Sequence, residues 1–371
     1  MNKESLGLYL HIPFCQSKCK YCDFCSFPKG EEEKKRYVAA LIKEIESAPE
    51  DARETHSIFF GGGTPTLLSA TEFCNIFSIL RKKYRICADA EITVEANPGT
   101  VTKEKLSVLL SLGVNRISMG LQSTNDRELS ILGRIHTYDT FLESYRLLSE
   151  VGFENVNIDL MYAIPEQTVG SFEETLRRVI ALNPAHISAY SLIIEDGTPF
   201  GKARESLVLP SEEEETRMYE SACRLLCEAG YNHYEISNYA RKGRICRHNL
   251  RYWQGGDYLG FGLAAHSLYR GKRFANTEDF ASYILDPASG KSCQARDLSS
   301  EAEEYVMLGL RTAFGISLSE YRARFCEDFL LGREEKLKLY EKLGYLLFEG
   351  DNIRLTEKGF YVSNAILCEI L

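Results

Sequence analysis

Three cysteines, Cys15, Cys19 and Cys22, stand in the pattern C-x3-C-x2-C directly behind a short apolar stretch that ends at Pro13. Their close spacing lets the three thiolates converge on one centre at little entropic cost, because the penalty for closing a loop grows with its length. Soft thiolate ligands suit an iron–sulfur cluster or zinc. In a cubane cluster each iron takes one external ligand, so three cysteines leave one iron open to a non-protein ligand. Cys25 keeps a second arrangement open. Cys19, Cys22 and Cys25 also read C-x2-C-x2-C, as in bacterial ferredoxins, although no cysteine follows to complete that run. A four-thiolate zinc or ferredoxin-type site therefore stands beside the reading in which Cys25 is a plain loop residue.

Other residue types further along the chain also carry chemistry. Gly61-Gly62-Gly63 precedes Thr64 and Pro65. It matches neither a P-loop nor a dinucleotide fingerprint. It permits either close backbone approach to a small polar ligand or a tight turn. Glu95 precedes Asn97-Pro98; a carboxylate there can accept hydrogen bonds from ribose hydroxyls, or pair with Arg116. Asp159 is an acid inside the apolar run 156–163 and needs a polar partner or a ligand. Gln122 and Arg134 carry no signal in isolation. His248, near Tyr252 and Trp253, and His266 are candidate metal or haem ligands, the aromatics suiting a flat macrocycle. A histidine without a ligand role is the ordinary alternative for each.

These residues need elements to hold them. Apolar runs predict strands over 6–12, 55–60, 90–96, 116–121, 155–163 and 186–194, each followed by a helical pattern. The first helices fall at 31–47 and 71–84. Six βα units imply a parallel sheet with helices outside, as an open doubly wound sheet or an incomplete barrel. The cysteines, the glycines, Glu95, Gln122 and Glu195 all lie at or just after strand ends. In a parallel barrel those ends meet on one face, the usual active face. Further on, a helix is expected at 211–229, a single strand at 231–239, a Gly- and aromatic-rich connector at 241–290 and a linker at 286–292. Helices and two short strands, 345–348 and 353–355, then suggest a winged-helix-like end. The expected domains are a barrel at 1–240, the connecting segment at 241–290 and a C-terminal domain at 291–371.

The chain has 371 residues, 44% of them hydrophobic, enough for a sizeable core with an appendage. A formal charge of −9 argues against general nucleic-acid binding. Twelve cysteines are scattered and do not frame a disulfide scaffold. With no signal peptide or membrane span in the pattern, the expected location is the cytoplasm.

LYLHIPFC, the cysteine loop, GGGTPT, EANPG, GVNRISMGLQS, LGRIH, NIDLMYAIPEQT, AHISAYSLIIEDGTP, HYEISNYA and HNLRYW run through nearly the whole chain. Together they resemble radical S-adenosylmethionine (SAM) proteins of the oxygen-independent coproporphyrinogen III oxidase group, HemN. They resemble more closely the haem-chaperone relatives of that group, HemW. The resemblance implies an α/β fold: a partial (β/α)6, TIM-like barrel of radical SAM type with a helical, winged-helix-like C-terminal domain. It implies a [4Fe–4S] cluster on Cys15, Cys19 and Cys22, with SAM on the open iron. Tyr9, Gly62 and Glu95 would contact that SAM, and Tyr21 would lie against it. Gly63, Thr64, Gln122, Arg134 and Asp159 match positions where the oxidase branch binds a second SAM. His248 lies in HNLRYW, the region to which the chaperone branch's haem binding is attributed.

Two departures separate the chain from the oxidases. Phe24 stands where they carry a fourth cysteine, and only fourteen residues precede Cys15 where they have an N-terminal extension. The expected function is therefore to bind haem as cargo and deliver it to acceptor proteins. Decarboxylation of coproporphyrinogen III, or another radical reaction on a tetrapyrrole, is the alternative. Haem-acceptor proteins and an electron donor such as flavodoxin or ferredoxin are the implied partners. Peripheral membrane association and a homodimer are compatible with the resemblance, and no nucleic acid is expected.

Overall fold

The computed structural model describes residues 5–288, 292–294 and 298–371. Six strands run parallel and in sequence order: β1 (Leu6–Ile12), β2 (Glu54–Gly62), β3 (Arg85–Ala96), β4 (Arg116–Gln122), β5 (Val156–Tyr162) and β6 (His186–Ser191). Helices including Glu31–Ser47, Ala70–Lys83, Lys103–Ser111 and Val169–Ala181 connect them. This is the partial barrel of the radical SAM type.

Alternation along each strand sorts the side chains by face. On β1, Leu6, Leu8, Leu10 and Ile12 are fully buried in one cluster with Tyr37, Leu41 and Ile45 of the first helix. Ile58 and Phe60, Ile92 and Val94, Ile117 and Met119, and Ile158 and Leu160 continue that apolar layer. The opposite parity is polar: Tyr9 and His11, Glu91 and Glu95, Arg116 and Ser118, Asn157 and Asp159, His186 and Ser188. Several of these residues hydrogen-bond to one another across neighbouring strands. Asn157 Nδ2 donates to Ser118 Oγ and to Asp159 Oδ1, both at 2.7 Å, and Asn157 Oδ1 lies 2.6 Å from His186 Nδ1. The inner face is thus a polar network in which a carboxylate can stand without opening the apolar core.

The flanks differ from the sequence expectation. Residues 231–239 form a hairpin, β7 (Asn232–Glu235) and β8 (Asn238–Ala240), in place of one strand. β8 must turn back to pair antiparallel with β6, while Ile236 N–H and Tyr234 C=O bond to Arg311 and Ala313 of the C-terminal region. The expected connector at 241–290 is largely structured. After helix Arg247–Trp253, β9 (Tyr258–Phe261) pairs parallel with β1, and β10 (His266–Tyr269) and β11 (Lys272–Ala275) follow antiparallel. Of the expected linker at 286–292, residues 289–291 lie outside the described residues, and Ser292 already belongs to β12 (Ser292–Gln294), paired with β11. Among the described residues the sheet therefore has twelve strands.

At the C-terminal end, β13 (Ile316–Ser317), β14 (Leu346–Glu349) and β15 (Asn352–Leu355) form a separate three-stranded sheet among helices. The expected two-stranded wing thereby gains a third strand. Among the described residues, no helix is long and apolar enough to cross a membrane.

Candidate cluster and cofactor site

The cysteine loop is clamped where β1 ends. Phe27 N–H donates to Pro13 C=O at 2.9 Å and Cys15 N–H donates to Phe27 C=O at 3.2 Å. Further out, Lys20 N–H bonds to Leu132 C=O at 3.0 Å, and Phe200 N–H to Lys20 C=O at 3.0 Å. The loop is thereby held above the C-terminal ends of the strands.

The glycines explain how it sits so close. A Cβ on Gly63 would come within 2.6 Å of Phe14 C=O, and one on Gly62 within 2.6 Å of the His11 ring. Gly62 also has φ of +108°, a conformation side chains resist. So part of what the triple glycine provides is close packing of β2 against the cysteine strand itself. Gly62 N–H still faces the cavity and donates to Glu95 Oε2 at 3.1 Å.

Cys15, Cys19 and Cys22 line a cavity of about 430 Å³ with Tyr21, Gly62, Gly63, Thr64, Glu95, Gln122, Arg134 and Asp159. Eleven residues singled out from the sequence therefore share one cavity. A polar chain ties two of the sulfurs together. Thr64 Oγ1 lies 3.7 Å from Cys15 Sγ, Asn97 Nδ2 donates to Thr64 Oγ1 at 2.6 Å, Arg134 donates to Asn97 Oδ1 at 2.7 Å, and Arg134 lies 3.6 Å from Cys19 Sγ. As a set, the three sulfurs do not all lie within 4.8 Å of one another. A tetrahedral zinc with bonds of about 2.3 Å would draw its thiolates to about 3.8 Å. The wider spread, with a guanidinium and a hydroxyl on the sulfurs, fits a multi-iron cluster better than a single ion.

Cys25 stands apart. It does not line this cavity but a neighbouring one of about 500 Å³, and its carbonyl accepts from His11 Nε2 at 2.8 Å. The four-thiolate alternative has no support in this geometry.

The carboxylates are buried. Burial, then the nearby Asp159, pushes the Glu95 carboxyl up to about 8. Burial raises Asp159 too, opposed by hydrogen bonds from Ser188 and Asn157 and by Arg116. Gln122 closes β4 with φ of +73°, and Tyr190 O–H donates to its Oε1 at 2.8 Å. A non-glycine residue held there implies a constraint from its surroundings. Asn97 and Tyr190 are site residues that the sequence did not single out. The one available signal was their position at strand ends.

Tyr9, expected against SAM, and His248, expected as a haem ligand, do not line this cavity. Tyr9 lines the second cavity, its hydroxyl 3.1 Å from His11 Nδ1. Its ring nonetheless lies on the Glu95 side of the strand, since a Cβ on Gly61 would meet both. His248 is fully buried beneath β2. Its Nδ1 is 2.9 Å from Ser57 Oγ, its Nε2 is 2.8 Å from Tyr252 O–H, and its ring stacks on Phe59. Burial, then Arg251 and Arg116, lowers it to about 3. Both nitrogens are thus engaged and the ring is packed in the core.

A parallel barrel carrying a three-cysteine loop and a polar cavity at its open face defines the radical SAM class. The radical SAM superfamily model matches residues 9–179, and the HemN C-terminal domain model matches residues 298–362. Among solved structures, coproporphyrinogen III oxidase (HemN) from Escherichia coli, described as a radical SAM enzyme, superposes with a TM-score of 0.85 at 26% identity, over 99% of this chain and 90% of that one. The haem chaperone HemW of Lactococcus lactis is 35% identical over 377 residues, covering 100% of this chain and 98% of its own. That of Bacillus subtilis is 36% identical over 374 residues, covering 96% and 97%. That of Escherichia coli is 43% identical over 264 residues, covering 70% and 69%. The chain belongs to the HemW haem-chaperone family of radical SAM proteins, a class that implies a [4Fe–4S] cluster and SAM.

Proposed function

We propose that the chain binds haem and hands it to acceptor proteins, using a barrel that also carries a cluster and SAM. Cys15, Cys19 and Cys22 would hold the [4Fe–4S] cluster, which would supply an open iron for SAM. Around it the chain's own groups have separate tasks. Arg134 and Thr64 donate to cluster sulfur ligands, Glu95 accepts from ribose hydroxyls, and Tyr21 shields one wall. Gln122 and Asp159 present polar atoms deeper in the same cavity.

The observation that carries the haem reading is the second cavity, beside the cluster loop. Tyr9, Phe24, Tyr252 and Tyr258 give it an aromatic lining, and His266 and Arg273 stand at its edge. Haem needs an apolar face, one axial ligand and a cation for its propionates. His266, exposed on β10, replaces His248 as the proposed ligand. Arg273, on β11 and ion-paired with Glu304, stands where a propionate can reach it.

The second reading is oxidation of coproporphyrinogen III, which the whole-chain likeness to HemN favours. Phe24, 68% exposed at the loop tip, stands against it, because the oxidases carry a cysteine there. Anaerobic reconstitution of the cluster, then titration of haem and of coproporphyrinogen III into one preparation, separates the two. A Soret band without tetrapyrrole turnover supports delivery; protoporphyrinogen IX formation supports the oxidase.

A further inference from the structure

A second constellation lies at the far end of the same strands. Glu54 and His56 are two apart on β2 and so share one face. Cys87 of β3 stands opposite them. Its Sγ is 3.3 Å from Glu54 Oε2 and 3.4 Å from His56 Nε2, and the last two atoms are 3.7 Å apart. Among the described residues this is the one group of three such side chains whose ligand atoms all lie within 4.8 Å of one another.

The backbone builds the convergence. Thr55 pairs with Ile86 and Ser57 with Glu91, so one residue of β2, His56, spans four of β3, residues 87–90. An irregularity of this kind re-aims side chains. The separation from the cluster is large. Glu54 and Gly62 are the two ends of β2, eight residue steps apart, about 26 Å at about 3.3 Å per step.

We propose that Glu54, His56 and Cys87 form a site for a single divalent metal of the zinc type. Bonds of about 2.3 Å to sulfur and 2.0–2.1 Å to nitrogen and oxygen, in tetrahedral geometry, put the ligand atoms about 3.3–3.6 Å apart. The observed 3.3, 3.4 and 3.7 Å need adjustments of a few tenths of an ångström. Thiolate and carboxylate together neutralise the dication, and a thiolate–imidazole–carboxylate set selects zinc over magnesium or calcium. His56 and Glu54 are 35% and 55% exposed, so the metal enters from solvent and the fourth position falls to water or an outside ligand. Without metal, hydrogen bonds and the ion pair of Glu54 with Arg85 at 3.8 Å hold the same atoms, and the Cys87 thiol is raised by burial and by Glu54.

The test uses the cluster-loaded full-length chain, so that Cys15, Cys19 and Cys22 are already engaged. Zinc affinity is read by competition with a chromophoric chelator, and the zinc shell by X-ray absorption. The expected result is one zinc per chain with one sulfur and three nitrogen or oxygen neighbours. Cys87→Ser and His56→Ala should each weaken it more than about 100-fold, beyond the loss seen for residues that merely orient a ligand. Iron content and the Soret band on haem addition serve as folding controls and should not change. Equal zinc affinity in wild type and both folded variants, or a zinc shell without sulfur, would overturn the proposal and leave the group as hydrogen bonds and ion pairs.

Discussion

Glu95→Gln isolates the contribution of one buried carboxylate to SAM binding. The substitution keeps the volume and leaves an acceptor for Gly62 N–H, which Glu95 Oε2 now accepts at 3.1 Å. It turns a donor NH2 toward the ribose hydroxyls in place of a charged acceptor. A hydrogen bond to a charged group contributes about 1.5–3 kcal/mol, so above about pH 8, where the carboxyl is ionised before SAM binds, the variant's SAM affinity should be lower by about 10- to 150-fold. The pH profile adds an independent mark. Burial and Asp159 hold the free carboxyl at about 8, and hydroxyl donors favour its ionised form. Below that value binding must release a proton, so affinity rises with pH by up to about tenfold per unit and levels off above about 8. Calorimetry on the cluster-loaded chain, with iron content as control, should show this slope in wild type and none in Glu95→Gln. Equal affinities with parallel pH profiles would refute the role given to Glu95.

Cys15→Ala, Cys19→Ala and Cys22→Ala should each abolish the cluster's charge-transfer absorption, while Cys25→Ala, whose side chain lies in the other cavity, keeps it. His248→Ala leaves Ser57 and Tyr252 without a buried partner and should lower stability by roughly 2–4 kcal/mol in denaturant titration. It should leave the Soret maximum in place, whereas His266→Ala moves or weakens it. Stability should also depend on pH with two signs. His248 titrates near 3 in the fold against 6.5 unfolded, so its contribution is full above about 6.5 and fades on acidification toward about 3. Glu235, raised to about 7 by burial from 4.5, contributes stability below about 4.5 that is lost as pH rises through about 7. Glu235→Gln should flatten the second slope in thermal melts, and an unchanged slope would remove Glu235 from the account.

How far the sequence carries the fold depends on which contacts are local. The six parallel strands are legible because each is an apolar run between helical patterns, and the first runs over Leu6–Ile12 as expected. The cysteines are legible by spacing, Glu95 by its place at a strand end, and Asp159 because an acid inside an apolar run is unusual. What escapes is non-local. β9 completes the sheet by pairing with β1, Gly7 opposite Tyr258, across most of the chain. The same long-range packing misleads on His248. Its aromatic neighbours suggest a macrocycle, but helix Arg247–Trp253 folds under β2 and turns the ring onto Ser57, Phe59 and Tyr252. Asn97 and Tyr190 escape for the opposite reason. They are ordinary polar residues whose role appears once Arg134 and Gln122 are placed beside them.

The most direct test of the central claim is product analysis by chromatography. The reconstituted protein is incubated anaerobically with SAM, a reductant and coproporphyrinogen III, and haem binding is measured on the same preparation. Haem delivery predicts a Soret band that His266→Ala perturbs, and no protoporphyrinogen IX above a cluster-free control. Accumulation of the divinyl product above that control would contradict the account and make the barrel an oxidase.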